Sequence, residues 1–325
     1  MPDLRIGLLG CGRHGERYLR HLARGDVDGM RPVALWRRDA KTGMVLAEQY
    51  GVEFVDSPDG LLDRGLVDAV LILTPPKAHE QQIRAAVRAG LPVLVEKPVV
   101  GSWEQACSLG AINASRIMVA QTLRFSPVLR RVRELAGVVG RVHRIRIAQR
   151  LEPSDLAWQR DRDQAGGGSV LLTGVHLFDL LRWMMGRTPD AVVARMVSIA
   201  GHPMENLFDA CFEYDDPPLL ASTEVSKFSR SRAGLLELVG DEGQLHVDYL
   251  RGTIDLLQGR ECERVAEIDD VPTLPIALGF FAALVRGEIE SPVSLQDGIE
   301  TVRMAEACYR SHASGCLVRL DELDG

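Results

Sequence analysis

Residues Leu4-Arg5-Ile6-Gly7-Leu8-Leu9-Gly10-Cys11-Gly12-Arg13-His14-Gly15 run from a short apolar strand straight into a G-x-G-x-x-G loop that opens a helix. The three glycines answer three demands: a tight turn, close approach of backbone to a pyrophosphate, and close packing of helix on strand. The helix that follows offers phosphates its unpaired N–H groups and the positive end of its dipole. Glycine-rich turns are common, and the context decides this one: it follows a strand, precedes a helix and begins a strand–helix alternation. Gly10, Gly12, Arg13, His14 and Gly15 are therefore assigned to a dinucleotide.

Working outward, Arg5–Leu9, Val33–Trp36, Ala69–Leu73, Pro92–Val95 and Ile117–Val119 read as strands. Helical stretches separate them, at 13–23, 40–50 and 78–89. In the last, Ile83, Ala86 and Val87 recur at helical spacing while Glu80, Gln81 and Arg84 face out. Strands alternating with crossover helices imply a parallel, doubly wound sheet, so residues 1–120 read as an α/β Rossmann domain. Beyond residue 120 the rhythm changes. A helix at 127–135 leads into a strand at 141–150, a charged, glycine-rich loop at 151–168, and a helix at 169–185. From 191 to 257 strand follows strand, with turn signals at Asp215-Asp216-Pro217-Pro218, Gly240-Asp241-Glu242-Gly243 and Arg251-Gly252. Helices near 275–286 and 295–311 close the chain. Residues 121–325 read as an α+β C-terminal domain with a largely antiparallel open sheet.

A chain of 325 residues suits two such domains. The net charge of -7 argues against a nucleic-acid partner that needs phosphates neutralised. No run of 18 apolar residues suggests a membrane span, and the first residues lack the basic, apolar and small-residue pattern of a signal peptide. Six cysteines (Cys11, Cys107, Cys211, Cys262, Cys308, Cys316) form no C-x-x-C pair. That spacing suits neither zinc nor disulfides, and free thiols fit a reducing, cytoplasmic setting. No H-E-x-x-H or clustered ligand set suggests a metal. Lysine is scarce: only Lys41, Lys77, Lys97 and Lys227 stand against a majority of arginines, so a lysine in a chemically loaded place draws notice.

The end of the second strand bears on NAD against NADP. An acid there bonds the adenine-ribose 2′-hydroxyl, whereas arginine accommodates a 2′-phosphate. The chain reads Trp36-Arg37-Arg38-Asp39, which favours NADP held by Arg37 and Arg38, with NAD the alternative should both arginines be solvated and Asp39 take the ribose. Thr74, Pro75 and His79 follow the fourth strand, at the carboxyl edge where ligands sit, although Pro75-Pro76 also reads as a rigid strand-to-helix turn.

Four ordered motifs carry a family resemblance: the N-terminal G-x-G-x-x-G, Glu96-Lys97-Pro98, Arg124-Phe125-Ser126-Pro127, and Gly166-Gly167-Gly168 followed by Gly174-Val175-His176-Leu177-Phe178-Asp179. The chain resembles the Gfo/Idh/MocA family, that of glucose–fructose oxidoreductase and inositol dehydrogenase. The resemblance implies hydride transfer between NAD(P) and a sugar, polyol or related compound, and oligomers packed through the C-terminal sheet. It places Lys97 and Glu96 beside the cofactor, and makes Lys97 and His176 the catalytic pair. A partly desolvated lysine beside a cationic nicotinamide has a lowered pKa and can hydrogen-bond the reacting oxygen, and histidine suits proton transfer near neutrality. For Lys97 the structural alternative is a salt bridge with a neighbouring acid.

One position departs from the family pattern. Members that oxidise polyols carry an acid four residues before this histidine, and here that residue is Leu172. Asp179, three residues after His176, reads either as a substrate contact or as a replacement for that acid on its face, and Thr173, three residues before, as another candidate hydrogen-bonder. Trp158 and Arg160 read either as a stacking face and a fork for substrate or as an anchored loop. Arg124 reads either as a substrate contact or as one half of an ion pair. Three functional readings follow. The first is an NADP-preferring oxidoreductase of a small hydroxylated or carbonyl substrate. The second, prompted by Leu172, is a non-catalytic NADP-binding regulator. The third is an enzyme that oxidises and re-reduces one substrate in a single turnover.

Overall fold

The computed structural model describes residues 2–324 and divides them into two units. In the first, strands β1 (Leu4–Leu9), β2 (Met30–Trp36), β3 (Glu53–Phe54), β4 (Ala69–Ile72), β5 (Val93–Val95) and β6 (Ile117–Val119) form a parallel sheet in the order β3-β2-β1-β4-β5-β6. Every residue of β4, β5 and β6 is buried, as a sheet covered on both faces requires, which is why these strands read as unbroken apolar runs. Strand order reverses between β1 and β4, and the crevice for a ligand lies outside the carboxyl ends of the strands at such a switch point. The helix Arg13–Ala23 buries Tyr18, Leu19 and Leu22, and the helix 40–50 starts on an Asp39 cap and stops at the left-handed Gly51.

Residues Pro272–Ile299 also belong to this unit. The Val119 N–H donates to the Val293 carbonyl, Arg286 reaches the Gly29 carbonyl, and Gly298 lies close against Val99 and Val119. The sequence division assigns this stretch to the second domain, because nothing local marks a helix that returns to an earlier sheet. The two-residue β3 likewise has no signal of its own; it is an edge addition to β2.

The second unit holds a mixed sheet. Strands β7 (Val142–Arg150), β8 (Ala191–Val197), β9 (Leu207–Tyr214), β10 (Leu219–Ser226), β11 (Ala233–Gly240), β12 (Gln244–Asp248), β13 (Thr253–Gln258), β14 (Glu261–Glu267) and β15 (Val318–Arg319) run in the order β14-β13-β12-β11-β7-β10-β9-β8-β15. All neighbours are antiparallel except β7 and β10, which pair in parallel at the centre. Along β9 and β10 burial alternates with period two: Phe208, Ala210, Phe212 and Tyr214 face the core, Asp209 and Cys211 the other side. The helix Val175–Met185 lies on the core face, with the Phe178 ring 6.1 Å from Phe208 and 5.3 Å from Phe212. No described helix is long and apolar enough to cross a membrane.

The stretch at 169–185 is not one α-helix. Val170–Gly174 forms a π turn, and the α-helix begins at Val175. In a π turn the main-chain bonds link residues five apart, so positions 172 and 176 lie on either side of a change from π to α winding.

Candidate active site

In the first unit the glycine loop has the shape a pyrophosphate needs. Gly10 has φ +96°, and a Cβ on it would sit 2.8 Å from the Thr74 nitrogen. A Cβ on Gly15 would overlap the Gly10 carbonyl oxygen, so the helix approaches the strand only because both residues are glycine. Gly12 is the opposite case: nothing lies within 4 Å of where its Cβ would be, and as N-cap it provides no side chain to the helix N–H groups. A bare flank and uncapped donors at a helix N-terminus fit a phosphate group. Arg13 is exposed beside them, and Cys11 is buried, its thiol pushed up to about 12 by burial.

Arg37 donates to the Cys11 carbonyl at 2.7 Å, which holds its guanidinium against the loop. Arg38 and Asp39 are exposed. Asp39 caps the next helix, accepting from the Thr42 hydroxyl at 2.5 Å and from the Thr42 N–H at 3.4 Å. These bonds hold its carboxyl below the usual range.

Glu96 joins the phosphate helix to the lysine segment. One oxygen of this buried carboxylate meets His14 Nε2 at 2.7 Å and the Tyr18 hydroxyl at 2.6 Å; the other accepts from the Lys97 N–H at 3.0 Å. Burial alone would raise its pKa, but the charge and hydrogen bond of His14, the Lys97 charge and the Tyr18 hydroxyl pull it down to about 2. Lys97 is partly exposed. Desolvation lowers its pKa below the ordinary lysine value, and the Glu96 charge raises it. After β4, Thr74 donates from the hydroxyl to Gln82 at 2.7 Å, and Pro75 is half-buried. His79 is fully buried rather than at a ligand-facing surface. Its Nε2 faces the Thr74 carbonyl at 2.7 Å, and Nδ1 faces the Pro98 and Val99 carbonyls at 3.0 and 3.2 Å. It braces the end of β4 against the segment that carries Lys97.

In the second unit His176 is half-buried on the first turn of the helix Val175–Met185, whose Val175, Leu177, Phe178, Leu180 and Leu181 are buried. Leu172, 6% exposed, packs with Ala165 and Met204, and Trp158 lies against that cluster. Arg160 is exposed. Arg124 and Asp179 come together: the guanidinium donates to both carboxylate oxygens, at 2.7 and 2.6 Å, with both side chains buried. A bidentate pair of this kind is the ion-pair reading of Arg124, and it occupies the carboxylate considered as a partner for His176 or a substrate hook.

Two residues absent from the sequence reading complete the surroundings. Tyr18, four residues after His14, shares its helical face, a spacing legible in principle. Glu205 lies 37 residues beyond Gly168, to which it bonds, and no local pattern announces it.

Similarity to known proteins matches this arrangement over most of the chain. The model of an oxidoreductase family with an NAD-binding Rossmann fold, Gfo/Idh/MocA, matches residues 4–121, and a Gfo/Idh/MocA C-terminal domain matches residues 129–246. The chain belongs to the Gfo/Idh/MocA family. Among Gfo/Idh/MocA relatives, inositol 2-dehydrogenase 2 of Saccharopolyspora erythraea is 28% identical over 333 residues, covering 96% of this chain and 94% of its own. The 1,5-anhydro-D-fructose reductase of Ensifer adhaerens is 27% identical, covering 96% and 97%. Levoglucosan dehydrogenase, solved in complex with NADH, superposes with a TM-score of 0.85 over 98% of this chain and 99% of its own, at 20% identity, a likeness of fold.

Proposed function

We propose that this chain is an NADP-preferring oxidoreductase that interconverts a hydroxyl and a carbonyl on a sugar, polyol or related small molecule. The observation that carries this reading is the buried Glu96 carboxylate, which fastens the helix behind the glycine loop to the backbone of Lys97. The activities named for its relatives, dehydrogenation of inositol and reduction of an anhydro-sugar, support the substrate class.

Gly10, Gly12, Arg13, His14 and Gly15 would hold the pyrophosphate, and Thr74 and Pro75 would border it. The nicotinamide supplies hydride exchange when bound. The rest belongs to the protein. Lys97, its ammonium disfavoured by burial, donates a hydrogen bond to the reacting oxygen and stabilises charge developing there. His176 takes the hydroxyl proton in oxidation and returns it in reduction. Trp158 offers an apolar face to a sugar ring, and exposed Arg160 a fork for hydroxyls. NADP preference rests on Arg37, held over the glycine loop, together with the use of Asp39 as a helix cap. Six free cysteines fit a cytoplasmic setting. The open face of the second sheet, with Arg146, Arg150, Asp209 and Glu224, is the surface through which copies of the chain would associate.

Absorbance assays over a panel of sugars, polyols and their keto forms, with NAD and NADP, test this directly. Turnover should appear on at least one compound and fall at least about 100-fold in Lys97→Ala and His176→Ala. Arg37→Asp should reverse the ratio of the two dissociation constants. The apolar packing of Leu172 favours a second reading, a regulator that binds NADP without turnover. Tight binding with no activity on any compound would establish it and overturn the first.

A further inference from the structure

The glycine run Gly166-Gly167-Gly168 leads into the π turn and helix that carry His176, and each of its members is crowded by a different neighbour. A Cβ on Gly166 would overlap the Gly101 carbonyl, one on Gly167 the Tyr309 hydroxyl, and one on Gly168 the carbonyl and carboxylate of Glu205. The loop is drawn in to let Glu205 reach the start of the helix. One carboxylate oxygen of Glu205 accepts from the Gly168 N–H at 2.9 Å, the Val170 N–H at 3.2 Å and the Tyr309 hydroxyl at 2.7 Å. Its main-chain carbonyl accepts from the Ser169 N–H at 2.8 Å. Three consecutive N–H donors at 168–170 thus end on one residue, itself 6% exposed. Ser169 provides no side-chain cap to the helix, so Glu205 supplies from elsewhere what a local cap would.

Glu205 is itself held. The next residue, Asn206, accepts from the Ile199 N–H at 2.7 Å and donates back to the Ile199 carbonyl at 3.1 Å. Its main chain also bonds Val197 and Lys227. Further along the helix, a Cβ on Gly174 would lie 2.7 Å from the Phe208 ring, which seats that turn directly on β9. One continuous run of π and α turns connects Gly168 to His176.

We propose that Glu205, with Tyr309, is a positioning residue for His176: the carboxylate clamp at 168–170 sets the register of the π turn and so the placement of the imidazole. This rests on the reading of His176 as the proton-transfer group. A carboxylate serves better than a neutral acceptor because it takes three donors on one oxygen and completes the positive end of the helix.

The test is steady-state kinetics with cofactor binding on the full chain, for Glu205→Ala, Glu205→Gln, Tyr309→Phe and His176→Ala. A misplacement on the ångström scale is expected to lower kcat about 100-fold in Glu205→Ala, and about 10-fold in Tyr309→Phe. The cofactor dissociation constant should stay within about twofold, since the glycine loop is untouched. Glu205→Gln, which keeps an acceptor oxygen, should recover kcat to within about fivefold of the parent. If Glu205→Ala does not fold, Tyr309→Phe and Glu205→Gln carry the test. Wild-type kcat in Tyr309→Phe overturns the proposal, as does an equal loss in kcat and cofactor affinity. Should His176→Ala itself turn over normally, the proton-transfer reading fails; should it be inactive while the clamp variants are not, the clamp fails alone.

Discussion

Glu96 is a buried acid whose neighbours more than offset its burial. With an ordinary value of 4.5 and a folded value of about 2, it is a group depressed by folding. Its contribution is fully present above about pH 4.5 and is lost as pH falls through the folded value; at 1.36 kcal/mol per unit it is on the order of 3 kcal/mol. Glu96→Gln should therefore be less stable by about that amount at pH 7 and show a flatter fall in unfolding free energy between about pH 5 and 2. Urea titrations at several pH values read this out, and identical acid limbs would refute it. The same change removes the charge that raises Lys97, so the lysine should titrate lower still than in the parent protein. With four lysines in the chain, a 13C-labelled lysine spectrum follows Lys97 directly. Motif order in the sequence names Lys97 and His176 as candidates. It did not link His14 and Tyr18 to Glu96, because those contacts span 82 and 78 residues and no motif records them.

Among the elements, the pair Arg124–Asp179 pins the segment after β6 to the helix of His176. Both groups are buried, so removing one leaves the other uncompensated. Asp179→Ala should cost about 3–5 kcal/mol in chemical denaturation, and the double change Arg124→Met/Asp179→Leu markedly less. Equal losses in the single and double variants would show that the pair matters only through packing. The helices and strands themselves were largely legible: 127–135 and 295 onward follow from apolar spacing, and β4 to β6 from unbroken apolar runs. The π turn at Val170–Gly174 was not, since Leu171-Leu172-Thr173-Gly174 has the composition of an ordinary helix. The contacts at its two ends, Glu205 at Val170 and Phe208 at Gly174, come from residues remote in sequence.

For the whole molecule, the alternation of strands and helices gave the parallel sheet, and the later turn signals gave the antiparallel one. The central parallel pair β7–β10 escaped, as parallel pairing leaves no turn between its partners. The open face of the second sheet carries a network in which Glu224 binds Arg146 and Arg150, and burial with the Glu224 charge raises Asp209. If copies associate through this face, light scattering after gel filtration should give more than one chain per particle, and Arg146→Glu with Arg150→Glu should return it to one. A parent protein that is already a single chain would exclude the interface.

The return of Pro272–Ile299 to the first unit has a further consequence. During synthesis from the N-terminus the nucleotide-binding half is begun first, yet it stays incomplete until most of the other unit has been made. Until residue 293 has left the ribosome, β6 lacks the partner its Val119 N–H finds there, and the groove later filled by Gly298 stands open. Excising residues 1–122 as a stand-alone nucleotide-binding module should therefore yield a fragment prone to aggregate, whereas splicing 272–299 onto its end should make it soluble.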